Sequence, residues 1–81
     1  MEVQDINRML WQSRRGVLEL DLILRNYIVT CYAKISDELK LQLESLLEED
    51  DPQMLDWLVY KSPPPPKHSK IVADILASTQ D

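Results

Sequence analysis

One glycine in 81 residues leaves this chain very few places to turn on a left-handed backbone. That glycine, Gly16, stands in Arg14-Arg15-Gly16-Val17-Leu18-Glu19-Leu20-Asp21, between two cations and two anions. The sequence on both sides has helical spacing. A glycine at such a break supplies a backbone turn that a residue with a β-carbon resists. With so little glycine and few β-branched runs, an all-α fold is expected.

Five helical segments follow from the apolar pattern. Asp5 to Arg15 reads as the first, capped by Asp5, with Ile6, Leu10 and either Met9 or Trp11 as its stripe and with Arg14 and Arg15 complementing the dipole in its last turn. Gly16 then stands where a C-terminal cap is expected. Val17 to about Lys34 reads as the longest helix, of roughly 27 Å. Its inner face comprises Leu20, Ile23, Leu24, Tyr27, Ile28 and Cys31, widened by Val17, Leu22, Val29 and Tyr32, which makes it the expected central helix. Asp21 and Arg25 have the spacing of a helical ion pair. Ser36-Asp37-Glu38 starts a third helix, with Leu39, Leu43, Leu46 and Leu47 inward, and the acids Glu48-Glu49-Asp50 oppose its dipole and end it. Asp51-Pro52 starts a fourth, with Met54, Leu55, Leu58 and Val59 inward and Trp57 beside them. The prolines 63–66 interrupt helix, and His68 to about Ser78 forms a fifth with Ile71, Val72, Ile75 and Leu76 inward. The last three residues are expected to fray. Short connections between these segments predict one compact five-helix bundle spanning residues 1–81.

The side-chain inventory argues against an enzyme. His68 is the only histidine and Cys31 the only cysteine, so no internal disulfide or cysteine metal cluster forms and the usual nucleophile constellations are missing. Cys31 falls on the apolar face as an inert thiol, and His68, beside Lys67 and Lys70, reads as a surface residue. Glu48 to Asp51 lacks the alternating spacing of a calcium loop and reads as a solvated helix end. A formal net charge of −5 disfavours nucleic acid as a partner. No window of 18 apolar residues exists, so no transmembrane helix is expected, and no leader is evident at the N-terminus. These features predict a bacterial cytoplasmic protein.

Binding readings remain. The four prolines can be a ligand for an aromatic groove or a stiff connector between helices, and the connector is favoured because the run is short and internal. The Arg14–Asp21 segment supports two readings about equally on physics alone. Gly16 can simply end one helix while Glu19 stabilises the next. Alternatively the turn presents a guanidinium fork and lets a partner backbone approach closely.

Trp11-Gln12-Ser13-Arg14-Arg15-Gly16-Val17-Leu18-Glu19-Leu20-Asp21 resembles the signature of the SdhE family, whose hallmark Arg-Gly-x-x-Glu is matched by Arg15, Gly16 and Glu19. Tyr32 with Ile35-Ser36-Asp37-Glu38, Leu46-Leu47-Glu48, Asp51-Pro52, Leu55 and Trp57-Leu58 resemble later elements of the family, so the likeness covers roughly residues 5 to 76. It departs at Arg25-Asn26, where many relatives are more aromatic, in the absence of phenylalanine, and in the length of the proline run. The resemblance implies a non-enzymatic FAD assembly factor. Such a factor binds the flavoprotein subunit of succinate dehydrogenase, and in some bacteria of fumarate reductase, and promotes covalent attachment of FAD to it. It implies partner contacts at Arg15, Gly16 and Glu19, with Asp21, Arg14, Arg8 and Trp11 as flanking candidates. The FAD belongs to the partner: no Gly-rich turn for a flavin of the chain's own is present. The free chain is expected to be a monomer. The alternative reading is a small helical adaptor or regulator acting through its acidic cluster or proline run.

Overall fold

Apolar residues recurring at three- and four-residue steps build five α-helices in the computed structural model, which describes residues 3–79. They are α1 (Val3–Gln12), α2 (Leu18–Cys31), α3 (Asp37–Leu46), α4 (Asp51–Leu58) and α5 (Pro66–Ser78), and the described residues contain no strand. The fold is the expected all-α five-helix bundle, about 32 × 27 × 25 Å across.

Helix α2 is central. It packs against α1, α4 and α5, while α3 lies along α5. Leu20, Leu24, Tyr27 and Ile28 are its buried residues. They meet Met9 of α1, Leu43 and Leu46 of α3, Met54 and Trp57 of α4, and Ile71, Val72 and Ile75 of α5 in one apolar cluster. Each fully buried aliphatic side chain there contributes about 1.5–3 kcal/mol. The Tyr27 hydroxyl donates to Asp74 Oδ2 at 2.6 Å, tying α2 to α5 inside this core. Burial, and then the Asp74 carboxylate, push the phenol's pKa up, so it stays a neutral donor.

The ends of the helices differ from expectation for local reasons. Helix α1 starts at Val3, so Asp5 lies within it rather than at its cap, and the Asp5 side chain is outside the described residues. It stops at Gln12, before Arg14 and Arg15. The Ser13 hydroxyl donates to the Leu10 carbonyl at 2.8 Å, the acceptor a continuing helix would offer to Arg14. The Arg14 N–H turns to Trp11 O instead, at 3.3 Å. Helix α2 stops at Cys31 and tightens into a 3-10 turn over Tyr32–Lys34. Ser36 caps α3 as expected, its Oγ accepting from the Leu39 N–H at 3.2 Å. The cap of α4 falls on Asp50 rather than Asp51. Helix α5 begins at Pro66, because a proline with its fixed φ suits a first helical turn, so only three prolines remain as connector. Thr79 is a turn bonded to Leu76 O at 3.2 Å, and Gln80 and Asp81 lie outside the described residues. A second left-handed turn falls on Lys61, φ 61°, where the Ser62 N–H folds back to Asp56 O at 2.7 Å.

Three side-chain expectations are corrected. Leu22 and Val29 do not widen the core face of α2; both are exposed. His68 is fully buried rather than on the surface. Its Nε2 lies 2.7 Å from Glu49 Oε2, and its ring is 5.3 Å from that of Trp57. An Nε2–H tautomer donates to the carboxylate and leaves buried Nδ1 as an unpaired acceptor, which costs less than an unpaired N–H.

Lys67 Nζ reaches the same Glu49 oxygen at 3.5 Å. The His68 hydrogen bond, with Lys67 helping and desolvation opposing, holds the Glu49 carboxyl below the usual glutamate range. A carboxyl with a folded pKa below its unfolded value stabilises the fold above the unfolded pKa, and that contribution is lost as pH falls through the folded one. Thermal unfolding followed by circular dichroism is therefore expected to show a melting temperature that declines as pH drops below about 5, and Glu49→Gln is expected to flatten that decline.

Candidate partner-binding site at the α1–α2 junction

Residues 13–17 cross from α1 to α2, and Gly16 makes the crossing with φ +77°. A β-carbon built there meets nothing within 4 Å, so the backbone dihedral, not crowding within the chain, asks for glycine. Gly16 is not the cap of α1, which ended at Gln12; it sets up the entry into α2 through Val17, whose backbone is extended. The Asp21 Oδ1 accepts from the Arg15 N–H at 2.7 Å and holds the turn from the far side. Asp21 is thereby engaged with the junction, and the expected Asp21–Arg25 ion pair does not form among the described residues.

Arg15 departs most from the sequence reading. Its side chain is only 17% exposed and runs away from the corner toward the α3–α4 turn. One guanidinium nitrogen donates to the carbonyl of Leu47, the cap of α3, and Nε lies 4.0 Å from Asp51 Oδ1 at the start of α4. A cation at the carbonyl end of one helix and an anion at the amide end of the next both match the dipoles. The guanidinium displayed at the corner belongs to Arg14, which lies over the Trp11 ring at 5.7 Å. Trp11 is 73% exposed, and Gly16 and Glu19 are exposed beside it in sequence. Glu19 makes no hydrogen bond or ion pair within the described chain. Arg8 is paired with Glu44 of α3 at 3.4 Å.

The structure adds Leu18, Leu22 and Arg25 to the surface around the expected candidates Arg14 and Asp21. A groove of about 430 Å³ between the end of α1 and α2 is lined by Leu10, Ser13, Arg14, Leu18, Asp21, Leu22 and Arg25. Leu18 and Leu22 are 72% and 50% exposed. Their signal was present: Leu18, Leu22, Arg25 and Val29 recur at helical steps on the face of α2 opposite its core stripe. Among the described residues, no group of three His, Cys, Asp or Glu side chains is placed to hold a metal ion, and no helix is long and apolar enough to cross a membrane.

The described residues thus form a small helical bundle with one charged, glycine-centred corner and an apolar groove beside it. Residues 7–79 match the family model described as flavinator of succinate dehydrogenase. The FAD assembly factor SdhE of Shewanella oneidensis is 34% identical over 76 residues, covering 93% of each chain. The SdhE of Legionella pneumophila strain Lens is 32% identical over 75 residues, 93% of this chain and 95% of its own. That of Pseudomonas aeruginosa is 33% identical over 60 residues, covering 74% and 71%. The chain belongs to the SdhE/Sdh5 family.

The buried position of Arg15 gives a direct expectation. Arg15→Met keeps the length of the side chain but leaves Leu47 O and Asp51 without their cation. Urea denaturation is expected to show a loss of about 1.5–3 kcal/mol, the range for a hydrogen bond to a charged group, with helical content retained in the absence of urea.

Proposed function

We propose that this chain binds the flavoprotein subunit of succinate dehydrogenase, or of fumarate reductase, and promotes covalent attachment of FAD to that subunit. The observation that carries the reading is the exposure of Gly16, Glu19, Arg14 and Trp11 on one junction of a chain that belongs to the flavinator family. Among the described residues Glu19 has no bonded partner and only favours the amide end of α2, and Gly16 leaves open space where a side chain would stand. Arg15 serves the site through the fold, by pinning the turn that presents its neighbours.

The corner offers a lone carboxylate and a guanidinium, a recognition set rather than a nucleophile with its base. The contribution to flavinylation is therefore differential binding. A partner that prefers the reactive arrangement of the subunit by about 1.4 kcal/mol raises its share roughly tenfold. FAD remains with the subunit, and the free factor is a cytoplasmic monomer. The adaptor reading has less support. Within the acidic cluster, Glu49 is taken up by His68 and Lys67, and Asp51 faces Arg15.

Two substitutions test this reading. Asparagine tolerates left-handed backbone, so Gly16→Asn preserves the turn while placing a side chain in the open space. Calorimetric titration with the purified flavoprotein subunit is expected to show at least tenfold weaker binding, with melting temperature nearly unchanged; unchanged affinity would return Gly16 to a backbone role alone. Glu19→Ala is expected to cost at most about 1 kcal/mol of stability. In-gel flavin fluorescence of the subunit, in cells carrying this variant, is expected to fall well beyond that cost. Full fluorescence would sink the role assigned to Glu19.

A further inference from the structure

The groove beside the corner has an apolar floor and a cationic edge. Leu10, Leu18 and Leu22 form the floor, and Arg14 and Arg25 stand at its margin. Among the described residues neither cation has a carboxylate partner: Arg14 stacks on Trp11, and Arg25 makes no ion pair. The one acid in the lining, Asp21, already accepts from the Arg15 N–H. This basic margin is unusual for the molecule. All four arginines fall within the first 25 residues, whereas ten of the fourteen acids lie beyond residue 36, in a chain of net charge −5. Two of its lining residues, Ser13 and Arg14, stand just before Gly16 in the chain.

Floor and margin together describe an occupant. Exposed leucines gain by covering an apolar side chain, and a forked guanidinium pairs best with a carboxylate. We propose that this groove receives an extended segment of the flavoprotein subunit in which an apolar residue is flanked by Asp or Glu, the apolar side chain seating on Leu18 and Leu22 and the carboxylates on Arg14 and Arg25. The inference rests on the partner proposed above and adds the chemistry of the segment that is recognised. Arg25 becomes a specificity residue outside the Arg-Gly-x-x-Glu motif.

The test measures the dissociation constant of the full chain with the purified flavoprotein subunit, for the wild type, Arg25→Glu, Arg25→Lys and Leu41→Ala. Arg25 is exposed and unpaired, so its variants are expected to fold, with circular dichroism as the check. Leu41 is an exposed leucine on α3, away from the groove. Arg25→Glu is expected to bind at least tenfold more weakly and with a shallower salt dependence. Arg25→Lys, which keeps the charge but loses the planar fork, is expected to fall between the wild type and Arg25→Glu, and Leu41→Ala to match the wild type. A photo-crosslinker introduced at Leu22 is expected to capture a subunit peptide with an acid within two positions of an apolar residue. Wild-type binding that Arg25→Glu leaves unchanged, or capture of a peptide lacking acids, overturns the groove proposal and leaves the partner reading standing. Absence of wild-type binding removes the partner reading itself, and the groove proposal with it. Light scattering that shows a wild-type dimer dissolved by Arg25→Glu, with subunit binding intact, would assign the groove to a second copy of this chain and overturn the proposal.

Discussion

The bundle hangs on the two ends of Arg15. Its N–H is held by Asp21 at the start of α2, and its guanidinium bonds the last carbonyl region of α3 beside Asp51 of α4. One residue thus fixes the crossing between the first two helices against the turn between the third and fourth. The α3–α4 turn needs such a partner. Glu48, Glu49, Asp50 and Asp51 crowd the carbonyl end of α3, where anions are unfavourable. Groups brought from elsewhere answer two of them: the Arg15 guanidinium from the first junction faces Asp51, and Lys67 with the His68 N–H, both from α5, reach Glu49. Because Arg15 is committed inward, Gly16 and Arg14 are fixed relative to the rest of the surface and need little ordering when a partner arrives.

Much of this was legible in the sequence where the signal is local. Periodicity placed all five helices and most of their inner faces, Ser36 declared its cap, and Gly16 declared its positive φ. The residues that misled are those whose role depends on a distant segment. His68 looked like a surface residue because its neighbours are lysines, yet its burial depends on Trp57 and Glu49, which arrive from other elements. Arg15 sits in a surface-like motif, and nothing in its own stretch tells that Leu47 O will lie within reach. Lys61 adopts a left-handed turn that composition reserves for glycine, because the backbone bond from Ser62 to Asp56 over-determines it.

Helix α2 shows why an apolar inventory alone misassigns faces. It carries two stripes, and only one can face the core of so small a bundle. Leu20, Leu24, Tyr27 and Ile28 take the inside, and Leu18, Leu22 and Val29 are left in water. Exposed leucines contribute little to folding and invite association. Keeping them beside arginines is a compromise that makes sense for a surface covered in a complex, where the charges limit nonspecific contact and select the partner.

The acidic balance of the whole chain does not decide what this face attracts. At physiological salt the Debye length is about 8 Å, so a segment entering the α1–α2 groove responds chiefly to groups within that distance. There it meets Arg14, Arg25 and Asp21, while two acids of the α3–α4 turn are engaged within the fold, Asp51 with Arg15 and Glu49 with Lys67 and His68. Committing Arg15 and Lys67 internally therefore has two consequences. It stabilises an acid-rich turn, and it offsets part of the negative field that would otherwise compete with Arg14 and Arg25. The same ion pairs that close the bundle thus leave Arg14 and Arg25 as a basic edge on an acidic molecule, so the fold itself sets where its positive charge is displayed.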